Sequence, residues 1–260
     1  MLVSFVIPTR NQARFLRRCI ESCMSQGITD SEILVIDGLS TDGTQEILKT
    51  YGERVRWVSE RDEGQADAVN KGVRAASGEI IAWLNSDDAY ADPGALRAVL
   101  AAFAEAPEVD VVIGDALIVD ESGAPIRSYR NRPFASAREV LVAPIGPSQP
   151  ATFFRRALFQ EVGGLRTDLH YALDYELWLR LFSRARAIRY LPRTLALTTF
   201  HPGAKSISGM LPQIREVARV KRESARRTSL TVGERLRIEG GLLGLLAYWL
   251  AVRLGLRRAA

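Results

Sequence analysis

Short, mostly apolar runs alternate with longer segments of helical periodicity over the first 113 residues of the chain. The apolar runs have the length of strands and cover residues 2–7, 33–36, 55–58, 80–84 and 109–113. The segments between them carry apolar residues three and four positions apart and cover residues 11–26, 44–51, 65–76 and 93–104. This alternation predicts a doubly wound α/β fold with a mostly parallel sheet.

The pattern becomes mixed beyond Gly114. A helix with one apolar stripe is predicted at 173–184, and short strands are predicted at 116–119, 126–129, 151–154, 187–191 and 195–199. From about residue 207 the chain is helical and rich in Arg. We therefore expect one α/β domain at residues 1–205, with halves at 1–114 and 115–205, and a basic helical C-terminal extension at 206–260.

The net charge of +5 is distributed unevenly along the chain. From Lys205 to the end there are twelve Lys and Arg residues and four Glu residues, whereas the preceding part carries a small excess of acids. A nucleic-acid-binding domain usually interleaves basic and aromatic residues on its folded surface, and this chain shows no such pattern. We therefore expect no nucleic-acid partner.

The extension contains an apolar stretch at residues 240–252, which is followed by Arg253, Arg257 and Arg258. These thirteen residues are fewer than the roughly 20 that a membrane-spanning helix needs. The stretch therefore predicts an amphipathic helix that makes peripheral contact with an anionic membrane or packs against a second subunit in an oligomer. A helix that only caps its own domain is the alternative.

The N-terminus and the cysteines indicate a cytoplasmic protein. Met1 leads directly into a strand-length apolar run, without the basic segment and cleavage site of a secretory signal. Cys19 and Cys23 are the only cysteines, and they lie four residues apart on a predicted helix. We expect them to be buried thiols in a reducing compartment. Membrane contact through the extension would place the protein on the inner face of the membrane.

Two adjacent carboxylates, Asp87 and Asp88, follow the predicted strand at residues 80–84. Open α/β sheets bind ligands at the carboxyl ends of their strands. Neighbouring carboxylates repel each other, and a hard divalent cation with its phosphate ligands would hold them together. The pair therefore predicts a site for a metal-bound nucleoside diphosphate, although a solvated turn before Pro93 is the alternative.

Polar residues also follow the first three predicted strands. Pro8 ends the first strand, and the residues after it offer backbone N–H groups to an anion, with a plain helix cap as the alternative. Asp37 ends the second strand, where it can accept hydrogen bonds from a base or a ribose. Because these strand ends share one edge of the sheet, the groups should converge on the acid pair. The other polar residues of this candidate site are Thr9, Asn11, Gln65, Asn70 and Lys71.

Four motifs lie at these strand ends, namely Ile7-Pro8-Thr9-Arg10-Asn11, Val35-Ile36-Asp37-Gly38, Asn70-Lys71-Gly72 and Asn85-Ser86-Asp87-Asp88. Together they resemble the nucleotide-sugar half of family 2 glycosyltransferases, and the resemblance extends over about residues 1–205. It implies a GT-A fold, with a nucleotide-sugar-binding half at 1–114 and an acceptor half at 115–205. It also implies inverting transfer of a sugar from a nucleotide-sugar donor, with a UDP-sugar expected, to a hydroxyl of a glycan or lipid-linked acceptor.

The resemblance assigns roles to individual residues. Asp88 would hold a divalent metal ion, Mn²⁺ or Mg²⁺. His201, which follows the last predicted strand, would be a second metal ligand, with a loop hydrogen-bonding residue as the alternative. The residues expected to contact the nucleotide sugar are Pro8, Thr9, Asn11, Asp37, Gln65, Asn70, Lys71 and Asp87.

Asp174 is the candidate catalytic base. The motif Ala172-Leu173-Asp174-Tyr175-Glu176-Leu177-Trp178 resembles the acceptor half of the family, in which the acid before the helix has that role. The usual Glu-Asp pair is Leu173-Asp174 here, so Asp174 alone must serve. Displacement at the anomeric carbon needs a carboxylate that takes the proton of the acceptor hydroxyl. The alternative for Asp174 is an N-cap of the helix that follows it.

Three other functions were considered for a chain of this pattern, and a feature of the sequence counts against each. A sugar-phosphate nucleotidyltransferase needs a Gly-rich basic loop after the first strand, and residues 8–12 contain no glycine. The same loop lacks the Gly-x-Gly-x-x-Gly of a Rossmann dehydrogenase. A non-catalytic scaffold subunit that binds a sugar nucleotide would have no need of Asp174.

Overall fold

A mixed β-sheet forms the centre of the protein. The structure is a computed structural model that describes residues 2–205 and 209–253, so Arg257 and Arg258 lie outside the described residues. Within this part the strands are β1 (Val3–Thr9), β2 (Ser31–Asp37), β3 (Arg56–Ser59), β4 (Ile80–Trp83), β5 (Ala89–Tyr90), β6 (Val109–Val119), β7 (Pro125–Tyr129), β8 (Thr152–Arg155) and β9 (Ala187–Thr199). Their order in the sheet is β3-β2-β1-β4-β8-β6-β9-β5, and β7 pairs with β6.

Helices cover both faces of this sheet. The described helices are α1 (Ala13–Met24), α2 (Thr44–Lys49), α3 (Gln65–Ala75), α4 (Ala95–Glu105), α5 (Ala137–Val142), α6 (Arg156–Glu161), α7 (Leu173–Arg184), α8 (Met210–Arg227) and α9 (Val232–Arg253). The doubly wound α/β arrangement predicted from the sequence is confirmed. The short elements β5, α5 and α6 were not predicted, because two to six residues carry too little periodicity to be recognised.

The first four strands are parallel, and their carboxyl ends meet at one edge. All seven residues of β1 are buried, as in a strand that is covered on both faces. β1 pairs in parallel with β2 and β4, and β2 pairs in parallel with β3. The register places Thr9 opposite Asp37, and Asp37 opposite Ser59. The predicted convergence of the strand ends is therefore correct.

The second half adds β8 antiparallel to both β4 and β6, and β9 parallel to β6. The sequence predicted two short strands in place of β6 and two in place of β9. The structure instead has one long strand in each case, with register shifts on either side of Asp115. Pro192 lies at the same irregularity, between Leu191 and Thr194. These polar and proline residues interrupt the hydrophobic pattern, but they bend the strands without ending them.

Two hydrophobic cores lie on opposite faces of the sheet. Side chains alternate along β1, so Val6 belongs to one core and Phe5 and Ile7 to the other. Val220 of α8 and Leu242 of α9 are buried in the first core. The extension therefore packs against the α/β domain over part of its surface.

The apolar stretch 240–252 lies in α9, and one side of this helix remains exposed. Among the helices of residues 2–205 and 209–253, none combines the length and the apolarity that crossing a bilayer requires. The exposed apolar residues of α9 follow a spacing of three, four or seven positions; they are Val232, Leu236, Leu243, Leu246 and Leu250.

Gly72 allows α3 to pack closely on the sheet, and this contact is testable. A Cβ at this position would overlap Val6 Cγ1 and lie 3.3 Å from Ile36 Cγ1. We expect Gly72→Ala to lower the free energy of unfolding by about 1–3 kcal/mol, measured by urea denaturation, because the helix must move outward. The control is Gly240→Ala in α9, where no atom lies within 4 Å of an added Cβ. This change should raise stability by up to about 1 kcal/mol, and an equal effect at both positions would contradict the close packing.

Candidate active site

A cavity of about 450 Å³ opens at the carboxyl edge of the parallel strands. This volume is in the range of small-molecule and cofactor sites. Residues from both halves of the domain line it, and so does Gln213 of α8. The sequence-predicted residues that line it are Pro8, Thr9, Gln65, Asp87, Asp88 and Asp174.

The acid pair lies in a tight turn after β4. The backbone N–H of Asp88 donates to the carbonyl of Asn85 at 3.0 Å. The Asp88 side chain is only 4% exposed, and its Oδ1 accepts a hydrogen bond from the backbone N–H of Thr199 at 3.1 Å. Burial, followed by the charge of Asp87, raises the pKa of Asp88 well above its ordinary value. Asp88 is therefore held by the protein backbone at the back of the site.

Asp87 is the more accessible of the two acids and faces His201. The distance between His201 Nε2 and Asp87 Oδ2 is 3.1 Å. His201 lies two residues after Thr199, the last residue of β9, and its buried ring packs on Phe15 with the centroids 4.6 Å apart. Arg18 of α1 donates to the Asp87 carbonyl at 3.1 Å and so fixes the backbone of the turn.

The two sequence-predicted metal ligands have different partners in the structure. The sequence assigned Asp88 and His201 to the metal and Asp87 to the nucleotide sugar. In the structure His201 contacts Asp87, whereas Asp88 is bound to Thr199. Imidazole and carboxylate groups are donors that suit a divalent cation, but no group of three or more His, Cys, Asp or Glu side chains among residues 2–205 and 209–253 is arranged to hold one. Asp87 and His201 are the acid and imidazole that the structure brings into contact, and a metal ion at this cluster stays a prediction.

A chain of side-chain amides connects the two halves across the floor of the cavity. Asn85 Oδ1 accepts from Gln65 Nε2 at 2.7 Å, and its Nδ2 donates to Gln149 Oε1 at 2.9 Å. Gln149 Nε2 donates to the carbonyl of Trp83 at 2.7 Å. Lys205 Nζ donates to Gln65 Oε1 at 3.0 Å. Gln149 and Lys205 were not predicted as site residues.

Asp37 and Asn11 organise the neighbouring loops and do not line the cavity. Asp37 is fully buried and accepts hydrogen bonds from the backbone N–H of Ser40 at 3.2 Å and from Ser59 Oγ at 2.6 Å. Asn11 has a left-handed backbone with a φ of 53°, and its Oδ1 accepts from the backbone N–H of Thr41 at 2.9 Å. Their direct contact with a nucleotide stays a prediction.

Asn70 and Lys71 also lie away from the cavity. The Asn70 amide makes two hydrogen bonds with the backbone of Leu165, at 2.8 and 2.9 Å. Lys71 Nζ lies 2.9 Å from a Glu60 carboxylate oxygen and 3.1 Å from an Asp67 carboxylate oxygen. A helix turns by about 100° per residue, so neither position shares the face of Gln65, which does line the cavity. The structure therefore does not bring these two residues to the expected site.

Asp174 lies in the first turn of α7 and lines the cavity together with the acid pair. Its Oδ1 accepts a hydrogen bond from the backbone N–H of Tyr175 at 2.7 Å. The residue that caps α7 is Ala172, so the N-cap alternative for Asp174 does not hold. Burial raises the pKa of Asp174 to about 6. A carboxylate with a pKa near neutrality is suited to accept a proton from a substrate.

Comparison with known proteins identifies the family. The sequence model of glycosyl transferase family 2 matches residues 4–163, which is more than half of the chain. Chondroitin synthase of Escherichia coli is 33% identical over 183 residues, which are 69% of this chain and 26% of that protein. A PGL/p-HBAD biosynthesis glycosyltransferase of Mycobacterium bovis is 31% identical over 197 residues, 73% of each chain. The chain thus spans about a quarter of the length of the chondroitin synthase that it matches.

Solved structures share the fold. S. aureus TarS in complex with UDP superposes with a TM-score of 0.70 at 20% sequence identity, over 93% of this chain and 71% of that one. The mannosyltransferase PcManGT from Pyrobaculum calidifontis, in complex with GDP-Man and Mn²⁺, superposes with a TM-score of 0.68 at 18% identity, over 96% and 75%. These superpositions confirm the GT-A fold that the sequence predicted. The fold and the extent of the family match together show that the chain belongs to glycosyl transferase family 2.

Proposed function

We propose that the protein is an inverting, metal-dependent glycosyltransferase that moves a sugar from a UDP-sugar to a hydroxyl of a glycan or lipid-linked acceptor. The observation that carries this proposal is the placement of Asp87 and Asp174 on the wall of one cavity, with His201 in contact with Asp87 behind it. Sugar transfer from a nucleotide sugar is the activity expected of the family. Membership of the family also sets aside the nucleotidyltransferase and dehydrogenase alternatives.

The proposed reaction divides between the two sides of the cavity. Asp174 takes the proton of the acceptor hydroxyl while its oxygen attacks the anomeric carbon, and the diphosphate leaves from the opposite side. This direct displacement inverts the anomeric centre. Asp87 and His201 would hold a Mn²⁺ or Mg²⁺ ion, which when bound neutralises charge on the diphosphate. A scaffold subunit would have no use for a base with a pKa near neutrality.

Relatives support the choice of donor and acceptor. TarS binds UDP and UDP-GlcNAc in its structures, and PcManGT binds GDP-Man with Mn²⁺. The names of several relatives, among them the chondroitin synthase and a hyaluronan synthase of Pasteurella multocida, point to polysaccharide biosynthesis. A UDP-sugar donor and a growing glycan as acceptor are therefore the first substrates to test.

Removal of the Asp87 charge should abolish metal-dependent nucleotide binding. In calorimetric titrations with UDP, we expect binding in the presence of Mn²⁺ that is lost in EDTA. Asp87→Asn should weaken this binding at least about tenfold, or about 1.4 kcal/mol, because a metal ligand is lost. The control is Asp30→Asn, at an exposed acid before β2, which should bind UDP like the wild type. Equal UDP binding with Mn²⁺ and with EDTA would contradict metal dependence.

The pH dependence of transfer should report the raised pKa of Asp174. Below a pH of about 6 the carboxyl is protonated and cannot accept the hydroxyl proton, so the transfer rate should fall about tenfold per pH unit. Asp174→Asn should lower the rate by about 10²–10⁴-fold and leave UDP binding intact. Initial rates at pH 4.5 to 8 measure both effects. A wild-type rate that stays constant down to pH 5 would argue against Asp174 as the base.

We also propose that the exposed side of α9 binds the surface of an anionic membrane. Five apolar residues of this side, from Val232 to Leu250, are between 37% and 75% exposed. The region from Lys205 onward has twelve basic and four acidic residues, so it attracts negatively charged lipid headgroups. Peripheral helices typically insert apolar residues into the membrane interface and carry basic residues around them. This contact would place the active site near a lipid-linked acceptor at the cytoplasmic face.

Sedimentation with vesicles tests the membrane contact. We expect the protein to bind vesicles with 30% phosphatidylserine more tightly than vesicles of phosphatidylcholine alone. Leu243→Glu should weaken this binding roughly 10–100-fold, because about 1.5–3 kcal/mol of apolar burial is lost. Ser229→Glu adds the same charge outside the apolar stripe and should change binding only slightly. If the wild-type protein binds neither kind of vesicle but forms dimers in analytical ultracentrifugation, the exposed side of α9 is a subunit interface instead.

A further inference from the structure

We propose that α8 belongs to the acceptor side of the active site, and that Glu216 is a positioning residue for Asp174. This inference rests on the proposed function, because it concerns the base of that reaction. The sequence had placed residue 216 in an extension outside the catalytic domain. The structure instead inserts its carboxylate behind the loop that leads into α7.

Glu216 binds three consecutive backbone N–H groups. Its carboxylate accepts hydrogen bonds from His170 at 3.0 Å, from Tyr171 at 2.6 Å and from Ala172 at 2.7 Å. Ala172 is the residue that caps α7, and Asp174 follows it by two positions. His170 and Tyr171 themselves line the cavity. A single side chain thus fixes the backbone of residues 170–172, which lead into the helix that carries Asp174.

A carboxylate suits the chemistry of this contact. The three N–H groups belong to the residues just before α7, and an anion near the N-terminus of a helix is stabilised by the helix dipole. A carboxylate offers about four lone-pair sites and can accept all three hydrogen bonds, whereas the amide of a Gln would turn two donors of its own toward them. Hydrogen bonds to a charged group are roughly twice as strong as neutral ones.

The same helix also anchors the C-terminal end of α5. Lys221 is almost fully buried, and its Nζ donates to the carbonyls of Leu141 at 3.0 Å and Ala143 at 2.6 Å. Its Nζ also lies 5.3 Å from the centre of the Tyr175 ring, next to Asp174. Lys221 lies five positions after Glu216, which is about 7.5 Å along the helix axis. Two charged residues of α8 therefore anchor two segments, the loop before α7 and the end of α5.

A third residue of α8 reaches the cavity itself. Gln213 lies one turn before Glu216 on the same face of the helix and lines the cavity. The helix is thus both a wall of the site and the anchor of its neighbouring loop. A C-terminal segment that only covered the domain would have no residue in the cavity.

Hydrogen exchange combined with steady-state kinetics tests the role of Glu216. We expect Glu216→Ala to accelerate amide exchange in residues 170–172, because these N–H groups lose their acceptor. With UDP-glucose or UDP-N-acetylglucosamine as donor and water in place of the acceptor, kcat for UDP release should fall on the order of 100-fold, since a base misplaced by about 1 Å loses that much. The KM for the donor and the affinity for UDP should stay unchanged.

Two further variants keep the test decisive. Glu216→Gln preserves size and should lose about tenfold in kcat, which covers the case in which the alanine variant does not fold. Glu239→Gln removes a carboxylate that pairs with Arg222 on the surface of the extension, and it should match the wild type in exchange and in kinetics.

The outcomes separate this inference from the proposed function. Faster exchange with a lower kcat and an unchanged donor KM supports the positioning role. Unchanged exchange, or faster exchange with a wild-type kcat, overturns it. A wild-type protein that releases UDP from neither donor counts against the proposed function, and the exchange at residues 170–172 alone then decides whether Glu216 holds the loop.

Discussion

Two carboxylates held side by side in a partly buried turn are the constraint on which the rest of the site depends. Asp87 and Asp88 repel each other, and burial together with this repulsion raises the pKa of Asp88 well above its ordinary value. The chain compensates with groups from distant elements, namely Arg18 from α1 and Thr199 and His201 from the end of β9. The path of β9 beside β6 is what carries two of these three groups to the turn.

Contacts between the two halves of the domain fix the position of the acid turn relative to α7. The amide chain from Gln65 through Asn85 to Gln149 joins them at the floor of the cavity. Beneath it, the rings of Trp83 and Trp178 lie 6.4 Å apart. Trp83 ends the strand before the acid turn, and Trp178 lies one helical turn after Asp174. The acid turn and Asp174 therefore rest on the same pair of aromatic rings.

The fold could be predicted from the sequence where the hydrophobic pattern was regular. The strand ends at Thr9, Asp37 and Trp83 follow uninterrupted buried runs, so the edge of the sheet and its acid pair were correctly placed. The course of β6 and β9 was missed, because a polar residue or a proline in a bulge reads like the end of a strand. Asn70 and Lys71 were expected at the site, since a motif gives the order of residues and not the helix face on which each one lies.

Which acid would bind the metal, and what lies behind the base, could not be read from the sequence. Adjacent aspartates look equivalent in a sequence, whereas in the structure Asp88 accepts from the backbone N–H of Thr199 and Asp87 contacts His201. Glu216 is one of four acids among the many basic residues of the extension, and no pattern separates it from those that form surface ion pairs. Contacts between segments more than 40 residues apart depend on the tertiary structure.

The three hydrogen bonds of Glu216 also make the loop before Asp174 depend on a segment that follows the whole sheet in the sequence. Every strand precedes α8 along the chain. The carboxylate that holds residues 170–172 is therefore in place only when α8 is docked on the domain. Loss of this one helix would leave the strand pairing and the acid turn with their own contacts, but it would leave the loop that leads to Asp174 without its anchor.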